Sequence, residues 1–323
     1  MEYDAYHLAN GVSCRIAADM GCNLLSWVVD GREVFHVDPG FGQDPRKFFY
    51  GGNPVLFPAV GRTWDRTGST PRFGVYRIYG HTGEYFMPLH GLLQSAECQR
   101  TAQLVGKDRV RVEYSVRLPE SVRQKSYPFD VSLALAYTLE QQSLCLNAAI
   151  TNHGSDAAPF SLGYHPWFAT ADPGRRGVEA FLPCTHMRTI DPHLSVPDGG
   201  RRALSGPLRF DAETSYDGVY AGLTGTRATL RDHVGGRQIH VDVDMSIADF
   251  VVASPKTIPA VCIEPWTAGL GAYEILGAAN WQAASALPLI PPGATRTVQV
   301  RYAVEGIPVQ ASDHQTALCR GES

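Results

Sequence analysis

The stretch Val110-Arg111-Val112-Glu113-Tyr114-Ser115-Val116-Arg117-Leu118 alternates apolar with charged or polar residues along its whole length. This pattern predicts a β-strand with one buried face, because successive strand residues point to opposite sides of a sheet. Residues 238–245 and 297–304 alternate in the same way, while the apolar runs 131–139 and 143–151, separated by three polar residues, predict a hairpin. No helical periodicity extends over a dozen residues, and 32 glycines with 22 prolines interrupt the chain too often for long helices. The sequence therefore predicts an all-β, mainly antiparallel protein with few short helices.

The composition excludes several classes of protein. A net charge of -4 over 323 residues gives no general attraction for nucleic acid or for an anionic membrane. No apolar run approaches the roughly 20 residues of a membrane-spanning helix, and the first residues show no signal-peptide pattern. We therefore expect a soluble, cytoplasmic protein with neither nucleic-acid nor membrane partners. The seven cysteines are odd in number and include no C-x-x-C pair, so we expect reduced, mostly buried thiols.

The chain contains no linker-like tract that would divide it into domains. The motifs described below are spread from residue 51 to residue 267, and a site assembled from distant strands favours one continuous sheet system. We therefore predict a single domain over residues 1–309. Residues 310–323 are polar and lack alternation, which predicts a flexible C-terminal tail.

Two motifs a hundred residues apart contain the groups best suited to chemistry. They are residues 161–168 (SLGYHPWF) and residues 261–267 (VCIEPWT). Each places a proton-handling side chain, His165 or Glu264, directly before a proline and close to a tryptophan. Proline restricts the preceding residue to extended backbone, so we expect both side chains to have fixed directions. An acid, a base and flat aromatic surface suit a sugar ring, which predicts proton transfer on a carbohydrate.

Motifs along most of the chain resemble the ordered motif series of the aldose 1-epimerases, the galactose mutarotase family. They are residues 51–58 (GGNPVLFP), 61–62 (GR), 88–91 (PLHG), 162–168 (LGYHPWF), 216–217 (YD) and 261–266 (VCIEPW). The resemblance implies a β-sandwich of large curved antiparallel sheets, with the sugar held in an open cleft on a concave face. It also implies that Glu264 is the catalytic base and His165 the catalytic acid, and that His90, Arg62 and Asp217 contact the sugar.

Two features near these motifs leave the substrate open. The family usually has Asn-Arg where this chain has Gly61 and Arg62, so one polar contact to the ring hydroxyls is missing or supplied elsewhere. Related hexose-6-phosphate epimerases hold the phosphate with arginines, and Arg66, Arg72 and Arg77 follow in this chain. A hexose-6-phosphate 1-epimerase is therefore an alternative to an enzyme that acts on a free hexose.

The tryptophan after Glu264 has two interpretations. Trp266 is a candidate platform for stacking against the sugar, although aromatic residues in β-sandwiches more often belong to the core.

A carboxylate and an imidazole suit the interconversion of α and β anomers. The reaction removes the proton of the O1 hydroxyl and delivers one to the ring oxygen as the C1–O5 bond opens. We expect Glu264 and His165 on opposite sides of the ring, with a nearby ionised carboxylate favouring the imidazolium form of His165. No cofactor and no metal are expected, since the remaining histidines lack close zinc-ligand spacing.

Functions of other classes remain open from the sequence. A glycoside hydrolase would pair Glu264 with a second carboxylate such as Asp217 and would not depend on a histidine acid. A non-catalytic carbohydrate-binding protein would keep the cleft without turnover. The expected partner is a small-molecule sugar, and the sequence does not distinguish a monomer from a homodimer.

Overall fold

The structure is a computed structural model that describes residues 2–41, 50–284 and 286–309. Strands form 48% of it and helices 7%, which confirms the prediction of a mainly antiparallel β protein. Within those ranges no helix has the length and apolar character needed to cross a membrane. The predicted tail over residues 310–323 lies outside the described residues, and the single domain over residues 1–309 stays a prediction.

The strands of the first half of the chain are β1 Asp4–His7, β2 Ser13–Ala17, β3 Asn23–Val29, β4 Arg32–Glu33, β5 Val55–Leu56, β6 Trp64–Asp65, β7 Arg72–Phe73, β8 Val75–Tyr76, β9 Tyr85–Phe86, β10 Gln99–Val105, β11 Val110–Arg117, β12 Val131–Leu139 and β13 Ser143–Asn152. Those of the second half are β14 Ala158–Pro159, β15 Gly163–Tyr164, β16 Trp167–Ala169, β17 Val178–Phe181, β18 Cys184–Ile190, β19 Pro197–Ala203, β20 Leu208–Arg209, β21 Tyr216–Leu223, β22 Arg227–Asp232, β23 Arg237–Val243, β24 Asp249–Ser254, β25 Ala260–Trp266, β26 Leu289–Ile290 and β27 Thr295–Gly306. Short α-helices cover α1 Glu120–Ser126 and α2 Trp281–Ala284, and short 3₁₀ helices cover Ala18–Met20, Leu93–Ser95 and Ala272–Gly277.

A nine-stranded antiparallel sheet contains all the strands predicted from alternation. Its order is β10, β11, β12, β13, β27, β23, β22, β17, β20. In β11, Val110, Val112 and Tyr114 are buried, whereas Arg111 and Glu113 are partly exposed, as the alternation predicts. The strands β12 and β13 pair along their whole length, which confirms the predicted hairpin.

An eight-stranded sheet carries the two chemical motifs. Its order is β19, β18, β21, β24, β25, β15, β5, and β16 also pairs with β25. The pairing places Gly163 of β15 opposite Trp266, and Trp167 of β16 opposite Cys262. His165 lies between the two short strands, so the antiparallel register brings it beside Glu264, which lies midway between the two partners on β25.

The two large sheets share one hydrophobic core. Phe168 of the eight-stranded sheet packs edge to face on Tyr302 of the nine-stranded sheet, with ring centroids 5.8 Å apart. Both rings belong to a single buried cluster that draws residues from both sheets. Burial of apolar side chains in such a cluster contributes about 1.5–3 kcal/mol each, so the core fixes how the sheets face each other.

Alternation along β25 separates this core face from a second face of the same sheet. Val261 and Ile263 belong to the shared core. Cys262, Glu264 and Trp266 therefore point to the opposite face, because strand side chains alternate with a period of two. The candidate active site lies on that opposite face.

Candidate active site

His165 and Glu264 are in direct contact. The Nε2 atom of His165 lies 3.3 Å from Oε1 of Glu264, and their side chains are only 6% and 2% exposed. This is closer than the sequence-based expectation, which placed the acid and the base on opposite sides of a sugar ring. Because the two groups already touch, a ring cannot lie between them in this arrangement and must approach both from one side.

The Glu264 carboxylate is held by its neighbours on β25. The indole Nε1–H of Trp266 donates to Oε2 at 3.1 Å. Burial raises the pKa of Glu264 well above its usual value, against the opposing effect of the Trp266 hydrogen bond, and the charge of Asp217 adds to the rise. The glutamate is therefore biased toward its protonated form.

His165 is fixed through both ring nitrogens and through its backbone. Its Nδ1 atom lies 3.0 Å from the Cys262 sulfur, and its backbone N–H donates to the Pro54 carbonyl at 3.0 Å. The Trp167 ring lies against the imidazole, with centroids 5.1 Å apart and planes tilted by 33°. The imidazole therefore has little freedom to turn.

Burial lowers the pKa of His165 to about 3. The expected imidazolium form is therefore not favoured in this arrangement, because desolvation disfavours the charged ring and the neighbouring Glu264 is itself biased toward its neutral form. Burial raises the pKa of Glu264 at the same time. When the pair has no net charge, it therefore holds one acidic proton in addition to the proton that a neutral imidazole always carries. Such a pair can give up one proton and take another without a change in net charge.

His90 lies against the pair and is held in a tight turn. Its backbone φ is +64°, its N–H donates to the Gly61 carbonyl at 2.9 Å, and its Nδ1 accepts from the Gly61 N–H at 3.1 Å. Its ring meets that of His165 edge to face at 5.2 Å. Burial lowers the pKa of His90 well below its usual value, and the neighbouring His165 and Arg62 add to this effect. With Nδ1 as an acceptor, the neutral ring carries its proton on Nε2 and can donate there.

Arg62 and Asp217 lie at the exposed side of the buried pair. The Arg62 guanidinium stands over the Phe73 ring at 5.6 Å, and the described part of the chain contains no carboxylate within salt-bridge distance of it. Asp217, near the start of β21, is exposed, yet desolvation by nearby protein raises its pKa and the charge of Arg62 opposes that rise. Their charges also act on the buried groups. The charge of Arg62 lowers the pKa of His90, and the charge of Asp217 raises the pKa of Glu264. The structure thus brings all six predicted site residues to one place, since Trp266 bonds to Glu264 and its ring meets that of His90.

Comparison with known proteins agrees with this geometry. A family model described as aldose 1-epimerase matches residues 4–303. The chain belongs to the aldose 1-epimerase family. Among solved structures, the Slr1438 protein of Synechocystis sp. PCC 6803 is similar with a TM-score of 0.79 at 22% identity, covering 95% of this chain and 97% of that one. A galactose mutarotase-like protein of Clostridium acetobutylicum has a TM-score of 0.75 at 16% identity, covering 95% and 99%. Another galactose mutarotase-like protein, from Lactobacillus casei ATCC 334, has a TM-score of 0.73 at 20% identity, covering 94% of this chain and 100% of that one. At these identities the likeness is one of fold.

Trp266 occupies a buried position in this member of the aldose 1-epimerase family. Its side chain is packed with Leu56, Val60, Val219 and Val251, and the residue is 3% exposed. The indole holds the carboxylate of the catalytic candidate rather than presenting a free face in this arrangement. Stacking of Trp266 against a sugar stays a prediction.

The departure from the usual family motif at Gly61 has a steric reason. Gly61 has a φ of +60°, and a Cβ atom there would lie 2.6 Å from the Leu270 side chain and 2.9 Å from the Trp266 ring. An asparagine would therefore require both neighbours to move. The glycine lets this segment pass close to Trp266 and Leu270, and its N–H and carbonyl both bond to His90 and orient that histidine.

The arginines after Arg62 are committed to carboxylates. The ion pairs are Arg66–Glu274 at 2.5 Å, Arg72–Glu84 at 2.7 Å and Arg77–Asp65 at 3.1 Å. Arg72 also contacts Asp65, and Arg77 also contacts Glu84 at 2.5 Å. Three positive charges are thus matched by three negative ones, which leaves no excess charge in this cluster for a phosphate.

Cys262 is the member of the site that the sequence interpretation missed. Its sulfur, a ring nitrogen of His165 and a carboxylate oxygen of Glu264 lie within 4.8 Å of one another, and all three residues are buried. These are donor types that Zn²⁺ accepts. However, the thiol and the carboxylate approach different ring nitrogens, so chelation of one ion would require the imidazole to turn. The available signal was the spacing, because a residue two positions before Glu264 shares its face of the strand.

Proposed function

We propose that this protein is an aldose 1-epimerase that interconverts the α and β anomers of a free hexose by acid/base ring opening and closure. The observation that supports this most directly is the buried contact between His165 Nε2 and Glu264 Oε1 at 3.3 Å. The two oxygens that exchange protons in mutarotation, O1 and O5, are bonded to the same carbon. Two proton-transferring atoms side by side therefore suit them.

The proposed reaction uses Glu264 and His165 as a pair. The reactive form has the shared proton on Nε2 of His165 and Glu264 ionised, which is one of the two arrangements of the one-proton pair. From this form the Glu264 carboxylate takes the proton of the O1 hydroxyl, while Nε2–H of His165 delivers a proton to O5. The C1–O5 bond breaks, C1–O1 becomes a carbonyl, and rotation about C1–C2 exposes the other carbonyl face. On closure, the O5 hydroxyl attacks C1 and returns its proton to Nε2, while protonated Glu264 returns a proton to O1. The pair ends in its starting state.

The surrounding residues suit hydroxyl groups of a neutral sugar. His90 can donate from Nε2, Asp217 accepts, and Arg62 donates without a competing carboxylate in the described ranges. Hydrogen bonds between sugar hydroxyls and charged groups contribute about 1.5–3 kcal/mol each, enough to orient a small ring. A free hexose fits these groups better than a hexose 6-phosphate, because Arg66, Arg72 and Arg77 are matched by carboxylates.

A glycoside hydrolase is less well supported. Its two carboxyl groups stand about 5–9.5 Å apart across the scissile bond, with one as general acid. In this site the group that touches Glu264 is an imidazole. Dependence on His165 therefore separates the two functions.

Anomer-exchange NMR and polarimetry on freshly dissolved aldoses would test the proposal. We expect Glu264→Gln and His165→Asn each to lower the rate of mutarotation by about 10²–10⁴-fold, because each removes a positioned acid or base. Wild-type rates in either variant would contradict the mechanism. A wild-type protein that leaves every aldose at its spontaneous rate would contradict the function.

The chain offers a matched control pair. His240 Nε2 lies 3.3 Å from Glu305 Oε2, the same separation as in the proposed site, but on the nine-stranded sheet with the carboxylate 55% exposed. We expect Glu305→Gln and His240→Asn to leave mutarotation unchanged. A loss of activity in these controls would show that the effect of removing a histidine or a glutamate is not specific to the site.

A further inference from the structure

The mechanism proposed above makes no use of Cys262, although its thiol lies beside both reacting groups. The sulfur is 3.0 Å from Nδ1 of His165, and the residue is fully buried. Cys262 and Glu264 share one face of β25, two positions apart, so the thiol and the carboxylate reach different nitrogens of the same ring. Burial raises the pKa of Cys262 well above its usual value, which keeps the thiol neutral.

Proton exchange at Nε2 sets a condition on the other ring nitrogen. When Nε2 releases a proton to O5 and later takes it back, the proton that stays on the ring must be on Nδ1. A buried Nδ1–H needs an acceptor, and the Cys262 sulfur is within reach. If the thiol donated to Nδ1 instead, the neutral ring would carry its proton on Nε2 and could not accept one there.

We infer that Cys262 is a positioning residue whose sulfur accepts the Nδ1–H of His165 and keeps Nε2 directed at Glu264 and the sugar. The groups that face the imidazole support this division of roles. Glu264 contacts Nε2 at 3.3 Å, Cys262 contacts Nδ1 at 3.0 Å, and the His90 ring meets its edge. The catalytic consequence rests on the proposed function, whereas the tautomer of His165 does not.

Nitrogen NMR of the full-length protein labelled with ¹⁵N-histidine tests the tautomer directly. We expect Nδ1 of His165 to carry the proton and Nε2 to be unprotonated when the ring is neutral. Cys262→Ser should keep this state, since its hydroxyl can accept from Nδ1, and Cys262→Ala should give a mixture of tautomers. A wild-type ring with a bare Nδ1 and a protonated Nε2 would overturn the inference, and this measurement needs no variant to fold.

Kinetics test the consequence for turnover. We expect Cys262→Ala to lower kcat about tenfold, the equivalent of about 1.4 kcal/mol, with KM changed less than twofold, and Cys262→Ser to restore most of the loss. The control is Cys14→Ala, which removes a buried thiol from β2 outside the site and should change neither kcat nor the tautomer. Unchanged kcat and tautomer in Cys262→Ala would overturn the inference. Absence of mutarotation in the wild type would instead overturn the proposed function, and the NMR result would still decide the role of Cys262.

Discussion

At the scale of single residues, the shared proton of His165 and Glu264 leads to a prediction for pH dependence. Burial lowers the pKa of His165 to about 3 and raises that of Glu264, so the one-proton state spans the range between them. Adding a second proton to the pair requires a pH near 3. Removing the shared proton requires a pH above the raised pKa of Glu264. We therefore expect kcat/KM to show no loss with a midpoint near 6.5 on acidification from pH 7 to 5, because kcat/KM reports the pKa values of the free enzyme and the pKa of His165 lies near 3.

Stopped-flow polarimetry across this range, with the spontaneous rate subtracted at each pH, would measure the profile. An ordinary exposed imidazole would titrate near pH 6.5. A loss of activity on acidification with an apparent pKa close to that value would show that His165 works as an exposed imidazolium and not as half of a buried pair.

At the scale of strands, alternation predicted the nine-stranded sheet well and the site only in part. The period of two in β11 follows from a buried face, which the sequence records directly. The contact between His165 and Glu264 depends on how β15 and β16 both pair with β25, and these two short strands are too brief to show a pattern. The ion pair between Arg66 and Glu274 joins residues 208 positions apart, so the sequence could not predict it either.

The pair of hydrogen bonds between Gly61 and His90 leads to a prediction at the same scale. Gly61→Ala would place a side chain at a φ of +60° and drive its Cβ into Leu270 and Trp266. We expect the free energy of unfolding to fall by about 2–5 kcal/mol, from left-handed backbone strain and overpacking together. Urea denaturation would measure it.

Gly293→Ala is the matched control for this substitution. Gly293 has a φ of +70° and nothing within 4 Å of its ideal Cβ, so only the backbone cost of about 1–2 kcal/mol applies. Equal losses in the two variants would mean that the region around Gly61 is loose, and that the glycine does not hold His90 against the site.

At the scale of the whole molecule, the distribution of charge bears on the choice of substrate. The chain carries a net charge of -4, and the arginine cluster after Arg62 is neutralised by Asp65, Glu84 and Glu274. Neither feature attracts a dianionic phosphate from solution. Arg62 differs from its neighbours because no carboxylate in the described ranges pairs with it, and it is therefore the arginine best placed to bind substrate.

Arg62→Ala should accordingly raise KM for a free hexose about tenfold or more, as expected for a lost hydrogen bond from a charged donor, with little change in folding. Arg66→Ala is the control, because Arg66 is 44% exposed and its ion pair with Glu274 is of a kind that stabilises proteins by about 1 kcal/mol or less. We expect its KM to change less than twofold, and the wild type to show no higher kcat/KM for a hexose 6-phosphate than for the free hexose. Anomer-exchange NMR with both substrates measures each value. A tenfold preference for the phosphate ester that disappears in Arg66→Ala would instead identify the arginine cluster as a phosphate site, and would require its carboxylate partners to give way when the substrate binds.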